Sequence, residues 1–162
     1  MSWKGPTAFF AAWVIHDLEE AFAFPASCDR LADRTGIEQL RITPQQSWIA
    51  VGLMGMLVAA ACGRGVRSTG KSATYRAVVA GLEAHVVTHL GGSVAQRGYT
   101  AGVATAVPIM LPGALMARRE LQRDGCELRF RDTVNGVALL LPAALVCQVV
   151  ARLIRRVSAV KN

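Results

Sequence analysis

Two pairs of potential metal ligands recur at helical spacing in the sequence. His16 and Glu20 are four residues apart, and so are His85 and His89. In an α-helix such residues lie on the same face, so each pair would present its side chains in one direction. Neutral imidazole and carboxylate groups are ligands of zinc and of non-haem iron. The spacing predicts a divalent metal site, zinc or iron, with His16, Glu20, His85 and His89 as ligands.

Two further carboxylates accompany these pairs. Glu19 follows His16 by three residues and nearly shares its face, whereas Glu83 lies roughly 160° around its helix from His85. A spare carboxylate beside a metal site can accept or donate a proton, so we predict catalytic roles for Glu19 and Glu83. For Glu83, the alternative is a position behind the metal ligands, where it would contact them without binding the metal.

Readings without a catalytic metal are also open. The same residues could form a proton relay or a network of His–Glu ion pairs, or they could lie at solvated helix ends. The cysteines show no CxxC spacing, so they do not indicate a zinc–thiolate site. They are Cys28, Cys62, Cys126 and Cys147.

Five apolar segments must position these side chains. Their approximate bounds are 6–24, 47–62, 75–90, 100–117 and 134–154. A helix needs ~20 residues to cross a bilayer, and polar interruptions are tolerated where they face the bundle interior. The fifth segment is apolar nearly all round, unlike the surface helix of a soluble protein. We therefore predict one all-α domain over residues 1–162, a polytopic transmembrane helix bundle of about five spans. Residues 25–46 would form a loop or lid.

Composition and charge agree with membrane residence. Hydrophobic residues are 52% of the chain, above the roughly 45–50% of soluble domains. The net charge is +7, and the basic residues crowd between the apolar segments, where they would meet anionic headgroups. Four aromatic residues lie near segment edges, in the position of an interfacial belt: Trp3, Trp48, Tyr75 and Tyr99. Pro112 and Pro142 would kink their helices or open the backbone.

The same features define the expected partners. The chain should contact the lipid bilayer and a hydrophobic small molecule, in the cytoplasmic membrane of a bacterium. Nucleic acid is not expected, because no basic patch is interleaved with stacking aromatics. The small size is compatible with a homo-oligomer. A soluble helical bundle is the alternative to the membrane fold.

One motif resembles a known family. The stretch His16-Asp17-Leu18-Glu19-Glu20 is similar to the motif of the HXXEE-domain family, small integral membrane proteins of unassigned role. That family also carries a further histidine, here His85 or His89, and an NxxPG motif. Pro112-Gly113 matches the end of that motif, but Ile109 replaces its asparagine. The resemblance covers roughly residues 6–117 and implies a membrane-helix fold without implying a mechanism.

The functional hypothesis at this level is a membrane metalloenzyme. A His/Glu-bound zinc would support hydrolysis or hydration, isomerisation or cyclisation of a hydrophobic substrate, and iron would support oxidation. A proton- or metal-ion-conducting transporter component is the first alternative. A structural membrane subunit, in which the polar cluster only joins helices, is the second.

Overall fold

The protein is all-α, as its apolar segments predict. A computed structural model describes residues 4–160, with side chains described up to residue 157, so Trp3 lies outside the described residues. No strand occurs in the described part. The helices are α1 (Lys4–Thr35), α2 (Pro44–Arg67), α3 (Ala73–Gln96), α4 (Val103–Thr105), α5 (Leu111–Arg123) and α6 (Phe130–Val160). A 3-10 turn (Glu38–Leu40) precedes α2, and a π-helical turn (Ala106–Met110) joins α4 to α5.

The long helices pack against one another in a bundle around a shared apolar core. α1 packs against α2 and α5, α2 and α3 both pack against α6, and α3 also packs against α5. The approach of α3 to α6 is closest at two glycines, because a Cβ on Gly81 would lie 2.8 Å from the backbone of Gly136. α1 and α3 do not pack closely against each other. The space between them is therefore available to side chains and to a cavity.

The first helix is longer than predicted. It continues through Pro25 to Thr35, so residues 25–35 are helical and only residues 36–43 connect α1 to α2. The added turns are held by tertiary contacts, which compensate for the backbone hydrogen bond that Pro25 cannot donate. Arg30 donates to the carbonyl oxygen of Tyr99 at 3.2 Å, and Ser27 accepts from the amide of Ala101 at 3.1 Å. The extension thus anchors the loop of residues 97–102.

The fourth predicted segment is interrupted rather than continuous. α4, the π turn and α5 follow one another, and the amide of Leu111 donates to the carbonyl of Ala106 across the wider turn. Pro108 and Pro112 have no N–H, so the regular α-helical ladder is broken where a π turn can replace it. The π turn ends at Met110, so the backbone opens before Pro112, which itself lies in the first turn of α5.

Within the described residues, two helices are long and apolar enough to cross a membrane, namely Pro44–Arg67 and Phe130–Val157. Length and apolar composition alone are weak evidence, because the core helix of a soluble protein can share them. For α6, only 17% of the most apolar stretch is buried inside the protein, so it is no core helix here. Of the aromatic residues predicted at an interface, Tyr99 and Trp48 are exposed, but Tyr75 is fully buried. Tyr75 packs edge-on against Phe9, so for it the predicted belt position is wrong.

Candidate metal centre

The four predicted ligands meet between α1 and α3. The ligand atoms of His16, Glu20, His85 and His89 all lie within 4.8 Å of one another. The Nε2 atom of His89 is 3.1 Å from that of His16 and 2.9 Å from that of His85. Glu20 Oε1 lies 3.5 Å from His89 Nε2 and 4.0 Å from His85 Nε2. This His/Glu group could hold a metal ion.

The partner of each second ring nitrogen indicates which nitrogen carries the proton. His89 Nδ1 lies 2.9 Å from the carbonyl oxygen of Ala101. A carbonyl oxygen can only accept a hydrogen bond, so His89 Nδ1 carries the hydrogen. In the neutral ring, Nε2 of His89 then has a free lone pair that points at the other two histidines.

His16 is fixed in the same tautomer by a two-step contact. Its Nδ1 lies 2.9 Å from the hydroxyl oxygen of Thr105, and that hydroxyl donates to Glu19 Oε2 at 2.5 Å. Because the single hydroxyl hydrogen goes to the carboxylate, Thr105 must accept from His16 Nδ1–H. A carboxylate thus orients a histidine through an intervening hydroxyl, as outer partners do around protein metal sites.

His85 completes the pattern with a local contact. The Thr88 hydroxyl donates to the His85 carbonyl oxygen at 2.7 Å and lies 3.0 Å from His85 Nδ1. It therefore accepts from Nδ1–H, and Nε2 of His85 is also free. Three lone pairs face one another, an arrangement that a shared cation would stabilise. A tetrahedral zinc ion with bonds of ~2.0–2.1 Å separates its ligand atoms by about 3.3 Å. The contacts of His89 Nε2 with His16, His85 and Glu20, at 3.1, 2.9 and 3.5 Å, are within a few tenths of an ångström of that value, whereas the 4.0 Å between Glu20 and His85 is longer.

Glu19 occupies a different place from Glu20. Its carboxylate accepts from the Tyr99 hydroxyl at 2.5 Å, from the amides of Ala104 and Thr105 at 3.2 and 2.8 Å, and from the Thr105 hydroxyl. Partial burial, together with the hydrogen bond to Glu19, raises the pKa of Tyr99 to about 12, so the phenol is the donor. Glu19 reaches His16 only through Thr105. Its catalytic role stays a prediction, and its contacts are those of a positioning residue.

Glu83 is not brought to the cluster. Its carboxylate pairs with the Arg118 guanidinium on α5 at 2.9 Å. The ion pair joins α3 to α5 on the side away from the three histidines, and Glu83 does not line the cavity described next. The predicted catalytic role of Glu83 gains no support from this position and stays a prediction.

An apolar cavity of about 500 Å³ adjoins the cluster. Glu20 and His85 lie in its wall, and Asp17 joins them there although it is almost fully buried. Helices α1, α2, α3 and α6 supply the rest of the wall, mostly with apolar side chains. These include Trp13, Phe24, Val51, Met54, Leu82, Leu140, Leu141 and Leu145. We call this space the apolar cavity.

Several residues of the site were not identified from the sequence. Thr105 and Ala101 accept hydrogen bonds from the Nδ1 atoms of His16 and His89. Thr105 is far from His16 in the sequence and Ala101 lies in a loop, so no local pattern predicts either contact. Gly102, at φ 83°, leaves space that a side chain would take from the rings of His16 and His89. Asp17 lies inside the motif, next to His16, and its side chain is found in the cavity wall.

Removing the Thr105 hydroxyl should weaken metal binding. In Thr105→Val, His16 Nδ1 loses its acceptor and the link to Glu19, so the ring is free to rotate or change tautomer. We expect metal affinity to fall by roughly 10–100-fold, as is typical for outer partners of histidine ligands. Thr133→Val on α6 is the control and should bind metal like the wild type. Equal affinity of both variants in a competition titration with a chelator would show that Thr105 does not position His16.

Comparison with known proteins gives one match. A family model described as "protein of unknown function with HXXEE motif" matches residues 7–117. The matched part includes the four clustered residues together with Glu19 and Thr105, and it ends before α6. No curated protein and no solved structure matches the chain. The chain belongs to the HXXEE family.

Proposed function

We propose that this protein is an integral membrane metalloenzyme that acts on a hydrophobic small molecule. Its metal, zinc or iron, is held by His16, Glu20, His85 and His89. The observation that carries this proposal is the convergence of three imidazole lone pairs at the wall of an apolar cavity. A purely structural polar cluster would instead pair donors with acceptors, because an unpaired buried polar atom is unfavourable.

The cavity limits the class of substrate. Its apolar wall favours a largely hydrocarbon molecule, and its few polar groups are concentrated where Asp17, Glu20 and His85 lie. A reactive carbonyl, hydroxyl or double bond would be placed there, within reach of the metal. Zinc would support hydrolysis, hydration, isomerisation or cyclisation at this point, and iron would support oxidation. Glu19 serves this chemistry by orienting His16.

The membrane placement proposed here is the five-span bundle in a bacterial cytoplasmic membrane. Two helices satisfy the length and composition test for a span, and exposed apolar stripes on α1 and α3 support two more. On α1 the stripe is Ile15, Leu18 and Phe22, and on α3 it is Val87, Leu90 and Val94. Each set recurs at intervals of three or four residues, so it forms one outward apolar face. Such faces fit contact with lipid, whereas the histidine and glutamate side chains of the same helices point inward to the metal cluster.

Metal analysis of the purified protein tests the proposal. Protein extracted in a mild detergent without chelators should contain about one equivalent of zinc or iron. Glu20→Gln should retain less metal, whereas Glu83→Gln should retain the wild-type amount. Less than about a tenth of an equivalent of any transition metal, after reconstitution with zinc and with ferrous iron under argon, would refute the metalloenzyme.

A second candidate is supported by one observation. A hydrogen-bonded series runs from the exposed Tyr99 through Glu19 and Thr105 to His16. A proton shared between the Nε2 atoms of His16 and His89, which lie 3.1 Å apart, would extend it, and such series conduct protons in transporters. A proton-conducting component would give a proton flux in proteoliposomes. Loss of that flux in Thr105→Val, with no metal in the wild-type protein, would favour conduction over catalysis.

A further inference from the structure

A second cavity lies beyond the apolar one, at the start of α2 and near the end of α6. Its volume is about 290 Å³, and we call it the arginine cavity because four of its eight lining residues are arginines. The lining residues are Glu38, Gln39, Arg41, Thr43, Gln46, Arg152, Arg155 and Arg156. Glu38 is the one acidic residue in this wall. The N-terminal end of α2, capped by Thr43, also faces the cavity and adds positive potential.

One of the four arginines is already neutralised. Arg41 contacts Glu38 at 2.7 Å, Asp33 at 2.6 Å and Asp29 at 3.4 Å. Its hydrogen bond to Glu38 also lowers the pKa of that exposed carboxyl, which keeps Glu38 ionised. These acidic groups therefore act on Arg41 and leave the charges of the other three arginines uncompensated.

Arg152, Arg155 and Arg156 have no carboxylate within ion-pair distance among the described residues. Arg152 uses its guanidinium on neutral groups, donating to the carbonyl oxygens of Gln39 and Arg41 at 3.0 Å each. Arg155 Nε is buried and has no hydrogen-bond partner in the described part of the chain. A buried guanidinium donor without a partner is unfavourable, and a bound anion would satisfy it.

The two cavities are neighbours. Gln46 lines the arginine cavity, and its side-chain amide donates to Gln148 Oε1 at 3.1 Å. Gln148 lines the apolar cavity, as does Ser47, the next residue after Gln46. The hydrogen-bonded pair Gln46 and Gln148 forms the wall between the two cavities, so a molecule with a charged end and a hydrocarbon body would place its charge among the arginines once this side-chain contact opens. Its body would extend along the apolar cavity towards Glu20 and His85.

We propose that the arginine cavity binds the phosphate group of an anionic amphiphile whose hydrocarbon chain occupies the apolar cavity. Phosphate is favoured because several guanidinium groups can donate to its oxygens in paired, charge-assisted hydrogen bonds. The identification of this ligand as the substrate rests on the proposed function. The binding itself requires only the two cavities and not the metal.

Dodecyl phosphate is a suitable probe, with two matched molecules that each lack one half of it. Dodecanol has the chain without the anion, and inorganic phosphate has the anion without the chain. Titrated into the full-length protein in a neutral detergent, dodecyl phosphate should bind at least about tenfold more tightly than either, with one molecule per chain by native mass spectrometry. Equal affinity for dodecanol, or for inorganic phosphate, would overturn the proposal.

Variants then locate each half of the ligand. Arg155→Gln should weaken dodecyl phosphate about tenfold, whereas Arg131→Gln, at the other end of α6, should not. Ala144→Phe, in the wall of the apolar cavity, should weaken dodecyl phosphate and leave inorganic phosphate unchanged. Phosphatidylglycerol tests whether the phosphate group of an ordinary membrane lipid accounts for the binding instead. Binding of many copies, insensitive to Arg155→Gln, would show a general lipid surface and overturn the specific site.

Metal content is measured on the same samples. Arg155→Gln should keep the wild-type metal, because the arginines do not contact the cluster. Protein that binds dodecyl phosphate but no metal would refute the metalloenzyme and leave the amphiphile site standing. Protein that binds metal but shows no preference for dodecyl phosphate would refute the amphiphile site and leave the metal centre standing.

Discussion

The His89→Ala variant should lose metal binding almost completely. His89 is the centre of the cluster, because its Nε2 is the atom nearest to His16, His85 and Glu20 alike. Its removal takes away one ligand and leaves the others on two helices that do not pack closely together. We expect affinity to fall by more than about 100-fold, beyond the 10–100-fold effect of losing an outer partner. Metal content after purification and a chelator competition titration measure this.

The control for His89→Ala is Glu83→Gln on the same helix. Glu83 pairs with Arg118, so its replacement disturbs α3 packing without touching the three histidines. Circular dichroism should show the same helix content in both variants, and only His89→Ala should lack metal. Wild-type metal content in His89→Ala would exclude this cluster as the binding site. Loss of metal in Glu83→Gln alone would move the site towards α5.

The Gly102→Ala variant should disrupt the centre without changing a ligand. Gly102 has φ 83°, a left-handed conformation that an alanine adopts only with strain. A Cβ there would also overlap the ring of His89 and reach 3.0 Å from His16 Cε1. Backbone strain of roughly 1–3 kcal/mol and displaced imidazoles should both follow. We expect a lower free energy of unfolding and a metal affinity reduced about 100-fold.

Gly98→Ala is the matched control for Gly102→Ala. Gly98 lies in the same loop, and a Cβ added to it would be 3.9 Å from its nearest neighbouring atom, the carbonyl oxygen of Gln96. Chemical denaturation and metal titration of the two variants should separate clearly. If Gly102→Ala binds metal as tightly as Gly98→Ala, the histidine rings do not depend on this loop. The hydrogen bond from His89 to Ala101 would then not be needed to hold the His89 ring in its metal-binding orientation.

The sequence determined the parts of this protein that depend on helical geometry. The pairs His16/Glu20 and His85/His89 share helix faces because the residues are four apart, and no long-range information is needed to see it. The all-α class followed in the same way from the apolar segments. The contact between Thr88 and His85 is also local, since it spans three residues.

Only the tertiary structure decided what surrounds the ligands. The extension of α1 past Pro25 depends on contacts with the loop 97–102, so local signals predicted a break there. Ala101 and Gly102 reach the histidines from that loop, and Thr105 does so from α4, across long separations in sequence. The roles of Glu19 and Glu20 are separated for the same reason. These adjacent carboxylates have similar local signals, but Glu19 meets backbone amides and Thr105, whereas Glu20 meets imidazole nitrogens.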